Sequence, residues 1–235
     1  MKDDQNLNAE QALIFEKLSA RVVISLKKKY INAHYAPKRG DALATILDMI
    51  PKGATVGTAD SLSLLQVGIL NALKKRGRNE IINPFRRDDE GKFIIVQEKR
   101  VELMTKIFSS DVFLIGTNAI TFDGKLVNTD GFGNRVSAMI FGPKKVIIVV
   151  GANKIVKDLD SALNRIRNIA PVNAARHAIK HNAEGFKDLP CVQSGICVNC
   201  NQPCRICHYT TIIDGEQERR KGHLNVVVVG EQLGI

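Results

Sequence analysis

All five cysteines of the chain lie between Cys191 and Cys207, spaced C-x5-C-x2-C-x3-C-x2-C. A C-x2-C pair lets a tight turn aim two sulfurs at one metal. Two such pairs only three residues apart leave little room for separate sites. The economical reading is one four-thiolate centre with one cysteine spare. Compact runs of this kind suit a [4Fe–4S] cluster, whereas zinc knuckles usually separate their pairs further, so structural zinc and metal-free thiols stand as the alternatives. An odd number of cysteines in one segment also argues against a disulfide framework.

The second stretch able to do chemistry is 116–135, GTNAITFDGKLVNTDGFGNR. It lies between two apolar runs that read as buried strands, DVFLI at 111–115 and VIIVV at 146–150. Gly131 and Gly133 allow φ > 0 and close approach of a ligand to the backbone, while Asn118, Asp130, Asn134 and Arg135 supply donors and acceptors. The pattern fits a cradle for an anionic or polyhydroxylated small molecule. It also fits a plain β-hairpin turning at Asp123-Gly124, with a further turn at Asp130-Gly131.

Stepping outward, 8–29 reads as a helix with Asn8 as its N-cap, and 40–50 as a second helix stopped by Pro51-Lys52-Gly53. ATVG at 54–57 reads as a strand. It leads through Thr58-Ala59-Asp60-Ser61 into an apolar helix over 62–74, whose N-terminus Asp60 or Ser61 would cap and where a negative group could bind. A strand at 80–83, a charged loop at 84–91 carrying Arg86 and Arg87, and a helix from about 88 to 108 follow. Short helices at 136–141, a strand at 145–150, a helix over 158–169 continuing past Pro171 to His181, and a last strand at 224–229 complete the pattern. Short apolar strands alternating with helices predict an α/β fold with a mostly parallel sheet covered on both faces. His177 and His181, four apart, could share a metal, but without a third ligand the spacing fits a solvent-facing pair better.

The chain has 235 residues and 44% hydrophobic content, enough for one substantial core. Its formal net charge of +10 would suit a nucleic-acid partner, but the basic residues are scattered and there is no Trp to stack on bases. An anionic metabolite is the better match to that charge. The polar N-terminus MKDDQNLNAEQ does not resemble a signal peptide and no run approaches the length of a membrane span, so a cytoplasmic location is expected. No G-x-G-x-x-G, P-loop or G-x-S-x-G motif is present, so no dinucleotide site or serine nucleophile can be named.

GTNAIT, DGKLVNTDGFGNR, VVGANKIV and the segment PCVQSGICVNCNQPCRIC together resemble the LUD domain of the lactate-utilisation proteins, over about residue 38 to the C-terminus. The resemblance implies a three-layer α/β/α fold similar to coenzyme-A transferases and phosphosugar isomerases. It implies Cys191, Cys197, Cys200 and Cys207 as metal ligands, with Cys204 spare. It further implies partnership with iron–sulfur oxidoreductase subunits that convert L-lactate to pyruvate. At Ala59-Asp60 the chain departs from the family, which more often has Gly and Ser there.

The expected organisation is an N-terminal helical segment (1–36), an α/β domain (37–185), a cysteine-rich segment (186–210) and a C-terminal strand completing the sheet (211–235). The expected ligand set is Ser61, Thr117, Asn118, Asp130, Gly131, Gly133, Asn134 and Arg135, with Arg135 opposing a carboxylate. Such a chain would be an accessory iron–sulfur subunit, and self-association into a homo-oligomer is left open. The alternatives are a transferase or isomerase acting on a coenzyme-A ester or phosphosugar, with Asp123 or Asp130 as base and a structural zinc, and a non-enzymatic metal or redox sensor.

Overall fold

The computed structural model describes residues 7–180 and 185–235. In chain order the elements are α1 (Asn8–Lys28), β1 (Asn32–Ala36), α2 (Arg39–Met49), β2 (Thr55–Thr58), α3 (Leu62–Val67), α4 (Ile69–Arg76), β3 (Glu80–Ile82), α5 (Gln97–Ile107) and β4 (Val112–Gly116). Then come β5 (Ala119–Thr121), β6 (Leu126–Asp130), α6 (Asn134–Ile140), β7 (Lys145–Gly151), β8 (Ile155–Val156), α7 (Leu159–Lys180), α8 (Pro190–Ser194), β9 (Tyr209–Ile213) and β10 (Leu224–Val229).

Six strands form an all-parallel sheet in the order β1-β10-β7-β4-β2-β3. Its central strands bury both faces, which is why they read as unbroken apolar runs rather than alternating ones. Val112, Leu114, Ile147, Val149, Val227 and Val229 point to a core shared with Ala42 and Ile46 of α2 and with Leu64 and Leu73 of α3 and α4. Phe113, Ile115, Val146, Ile148, Val226 and Val228 point to the opposite core, closed by Val22 and Leu26 of α1, Ile107 of α5 and Met139 of α6. Adjacent residues of one strand thus feed different layers, and the fold is the expected three-layer α/β arrangement with a mostly parallel sheet.

Several local expectations change. The cap of α1 falls on Leu7, not Asn8. The residues after α1 form β1, a sheet strand that the helical assignment of 1–36 overlooks. The expected helix over 62–74 breaks at Gly68 into α3 and α4, and α3, at six residues, is too short to present a useful dipole to an anion. α5 starts at Gln97 rather than near Asp88, because the preceding loop folds back on itself through an Arg87–Phe93 bridge. Pro171 sits within the single helix α7.

The largest difference is a second sheet, ordered β8-β5-β6-β9. β5 and β6 pair antiparallel around the Asp123-Gly124 turn, so that part of 116–135 is the hairpin. β9 then pairs antiparallel with β6, setting Tyr209 opposite Asp130. Since β9 directly follows the last cysteine, this pairing lays the cysteine segment against the end of the hairpin. Ala162 and Ile166 of α7 pack on Ala119 and Val127, filling the space between α7 and the hairpin.

Candidate functional site

The chain leaves β2 for β3 on one side, and the next strand, β4, pairs on the other side of β2. Loops therefore diverge at the C-terminal edge of the sheet, the place where open α/β sheets form ligand crevices. A cavity of about 580 Å³ lies there. The cap and first turn of α3, just after β2, contribute Ser61 and Ser63, the end of β4 and the residues after it contribute Gly116, Thr117 and Asn118, and the turn after β7 contributes Lys154. Asn173, Arg176 and His177 face it from α7, at spacings that share one helical face. Further wall comes from α5, through Gln97, Arg100 and Met104, and from the cysteine segment, through Cys204, Arg205 and Ile206.

Of the residues expected to hold a ligand, Ser61, Thr117, Asn118, Asp130, Gly131, Asn134 and Arg135 line this cavity. Gly133 lies instead in a neighbouring groove, as the left-handed cap of α6 with φ 88°. Asp123 does not line the cavity. It sits at the hairpin turn in a surface ion cluster with Lys125, Lys29 and Asp214, and the Lys125 hydrogen bond holds its carboxyl below the ordinary value.

The polar loop residues bond chiefly to one another. The backbone N–H of Asn118 donates to Asn128 Oδ1 at 3.2 Å, and the N–H of Thr129 donates to Asn118 Oδ1 at 3.0 Å. Arg135 donates to Asn118 Oδ1 at 3.2 Å, Asn128 Oδ1 at 3.3 Å and the Thr129 carbonyl at 2.7 Å. Asp130 caps the start of α6, accepting from the N–H groups of Arg135 and Val136, and from that of Gly131. Close approach does occur at Gly131, but the approaching atoms belong to the chain: a Cβ there would stand 3.0 Å from Ile206 Cα.

Asp60 neither caps α3 nor faces the cavity as a free negative charge. Its Oδ2 is 2.6 Å from Arg87 Nη2 and 3.5 Å from Arg176 Nη1, so the departure from the family pattern is balanced by two arginines. Ser61 is the cap residue of α3. His177 is half-buried rather than solvent-facing: Nδ1 is 2.8 Å from the Asn173 carbonyl, the ring stacks on Phe186 at 5.6 Å, and burial lowers its pKa. Its expected partner, His181, lies outside the described residues.

Three cations of the cavity lack an anionic partner among the described residues, one of them Arg205, which bonds to His208 Nδ1 and the Cys200 carbonyl. Arg100 lies over the Phe93 ring at 4.4 Å, and its buried Nε has no hydrogen-bond partner. Lys154 is 7% exposed, and its Nζ reaches only the Thr117 carbonyl at 3.2 Å and Ser63 Oγ at 3.4 Å. Burial, reinforced by Arg165 and Arg135, brings the Lys154 ammonium down to about 7. Sequence reasoning passed over Arg100 and Lys154. A lysine inside the apolar run VVGANKIV was a usable signal for Lys154; Arg100, one of many charges in a helix, offered none.

Among the described residues no group of three or more His, Cys, Asp or Glu side chains is gathered closely enough to hold a metal ion. The cysteines are nevertheless in one another's field. Burial raises the Cys191 thiol, and Cys200 and Cys197 raise it further. Burial also raises Cys207, with Arg205 opposing and Cys200, Cys197 and Cys191 adding to the rise. Cys204 stands apart, its Sγ 3.5 Å from the Gly185 carbonyl at the cavity wall. Burial and mutual repulsion both penalise the thiolate form here.

Fold and cavity thus define a three-layer α/β protein with a cationic crevice at the carboxyl edge of its parallel sheet. The LUD domain family model matches residues 19–229, and the chain belongs to that family. Membership supports a function related to lactate utilisation in general terms. A crystal structure of a DUF162 family protein from Deinococcus radiodurans, 12% identical, superposes with a TM-score of 0.51 over 92% of this chain and 98% of that one, which shows the shared fold. The delta subunit of eIF2B from Chaetomium thermophilum aligns more weakly, at 14% identity and TM-score 0.33 over 63% of this chain and 54% of that one. Comparison with curated proteins gives no match. No helix among the described residues is long and apolar enough to cross a membrane.

Proposed function

We propose that this chain is a lactate-utilisation protein that binds a small carboxylate metabolite in the crevice and carries an iron–sulfur cluster on the adjoining cysteine segment. In this reading it is an accessory subunit to iron–sulfur oxidoreductases that convert L-lactate to pyruvate. The observation that carries it is the charge of the crevice. Arg100, Arg135, Arg176 and Arg205 line it against two carboxylate side chains, Asp60 and Asp130, each already engaged by arginine or backbone donors. Unbalanced cations in a partly desolvated crevice favour an anion.

Cys191, Cys197, Cys200 and Cys207 would hold the cluster, which would supply one-electron transfer beside the ligand. Cys204 and Arg205 belong at once to the cysteine segment and to the crevice wall, so a ligand and a cluster would share this segment. Protein purified without oxygen should contain iron and sulfide near four of each per chain, absorb broadly near 400 nm and bleach on reduction, as [4Fe–4S] proteins of about this stoichiometry do. Calorimetric titration should show pyruvate or L-lactate binding. Stoichiometric zinc without iron would overturn the cluster, and absence of binding by either acid would overturn the carboxylate site.

A further inference from the structure

Lys154 is placed as a nucleophile more than as a counter-ion. It stands at the floor of the crevice beyond β7, between Ser63 from the β2 side and Thr117 from the end of β4. A Cβ at Gly234 would come within 2.7 Å of its Nζ, so the backbone there is pressed against the amine and helps exclude water. Neither neighbour is an anion, and Arg135 and Arg165 add positive potential, so the uncharged amine is the form that suits this environment. An uncharged, desolvated lysine amine attacks carbonyl carbon. Arg100, without an ion-pair partner among the described residues, lines the same cavity and can take a carboxylate.

We propose that Lys154 captures small oxo acids covalently as an imine, a chemistry resting on the carboxylate reading of the crevice. The Nζ lone pair forms a C–N bond to the carbonyl carbon while the C=O π electrons move to oxygen. That oxygen takes a proton as the nitrogen releases one, giving a carbinolamine. The hydroxyl then leaves as water with the second nitrogen proton, and C=N forms. Amine and carbonyl become imine and water, with no oxidant or reductant consumed.

The test incubates the full chain with pyruvate, and separately glyoxylate, in the presence of cyanoborohydride near neutral pH, and follows intact mass and peptide maps. Reduction should fix an adduct on Lys154 at least about tenfold faster than on any other lysine, since surface amines are almost wholly protonated there. L-lactate, which has no carbonyl, should give none. Lys154→Met should abolish the adduct. If that variant fails to fold, the map of the wild-type chain decides alone: no adduct, or one spread evenly over surface lysines, overturns the proposal. Calorimetric binding of pyruvate without an adduct at Lys154 would remove the imine and leave the carboxylate site standing, whereas loss of both would remove the two together.

Discussion

Arg135 donates from Nη2 to Asn118 Oδ1 at 3.2 Å, so two residues whose types suggest ligand contacts hold each other. Asn118 in turn accepts from Thr129 N–H, and its own carbonyl accepts from Arg165 at 2.7 Å. The hairpin, α6 and α7 are tied through this pair. Arg135→Ala should therefore lower unfolding stability by about 2–3 kcal/mol, the scale for hydrogen bonds to a charged group whose acceptors are left without it. Arg135→Lys should recover only part, because an ammonium cannot span the three acceptors. Urea titration checks this; an unchanged midpoint would mean that the clasp does not contribute.

Asp60 joins Arg87, in the loop after β3, to Arg176 on α7 across the mouth of the crevice. Asp60→Asn leaves two guanidinium groups facing each other without their carboxylate. Stability should fall by about 2–3 kcal/mol, since these side chains are mostly buried. Anion affinity should move the other way, tightening several-fold as a negative charge leaves the crevice. Paired denaturation and pyruvate titrations would test the opposed signs.

Lys154 gives a pH dependence whose sign follows from its lowered value of about 7 in the folded chain. Between about pH 7 and the ordinary lysine value the unfolded chain binds more protons than the folded one, so this group makes stability rise with pH. Its destabilising effect is fully present below about 7 and fades as pH rises towards the unfolded value. Compared with Lys154→Met, the wild-type chain should gain up to about 1.4 kcal/mol per pH unit across that window. Denaturation curves of both proteins from pH 6 to about 10 would read it, and parallel curves would contradict the assignment.

Among the cysteines, Cys204 should behave differently from the other four positions. Cys204→Ser should keep the metal, because its thiol bonds towards Gly185 at the crevice wall and does not enter the field that couples Cys191, Cys197, Cys200 and Cys207. Serine at Cys197 or Cys207 should remove most of it, as three thiolates hold a cluster poorly. Metal content per chain is the readout. Equal retention in all of these variants would remove the four-thiolate set.

The three-layer α/β fold was legible in the sequence, because apolar runs such as VIIVV at 146–150 and VVVV at 226–229 bury both faces in the way the strands of a covered parallel sheet do. The sequence also marked the 116–135 region, since glycines and amides between two buried strands are a local pattern. What it could not assign was which of these polar groups face a ligand. Asp130, Asn118 and Arg135 have the same local chemistry whether they bind a ligand or one another. Only the pairing of β6 with β9 and the packing of α7 on the hairpin decided that they bond among themselves. The same holds for the cations. Lys154 and Arg100 are far apart in sequence and unremarked in composition, and they became the centre of the crevice because strand order brings the ends of β2, β4 and β7 to one edge while α5 closes over it. Spacing is a property of the chain, whereas desolvation and the absence of a counter-charge are properties of the fold.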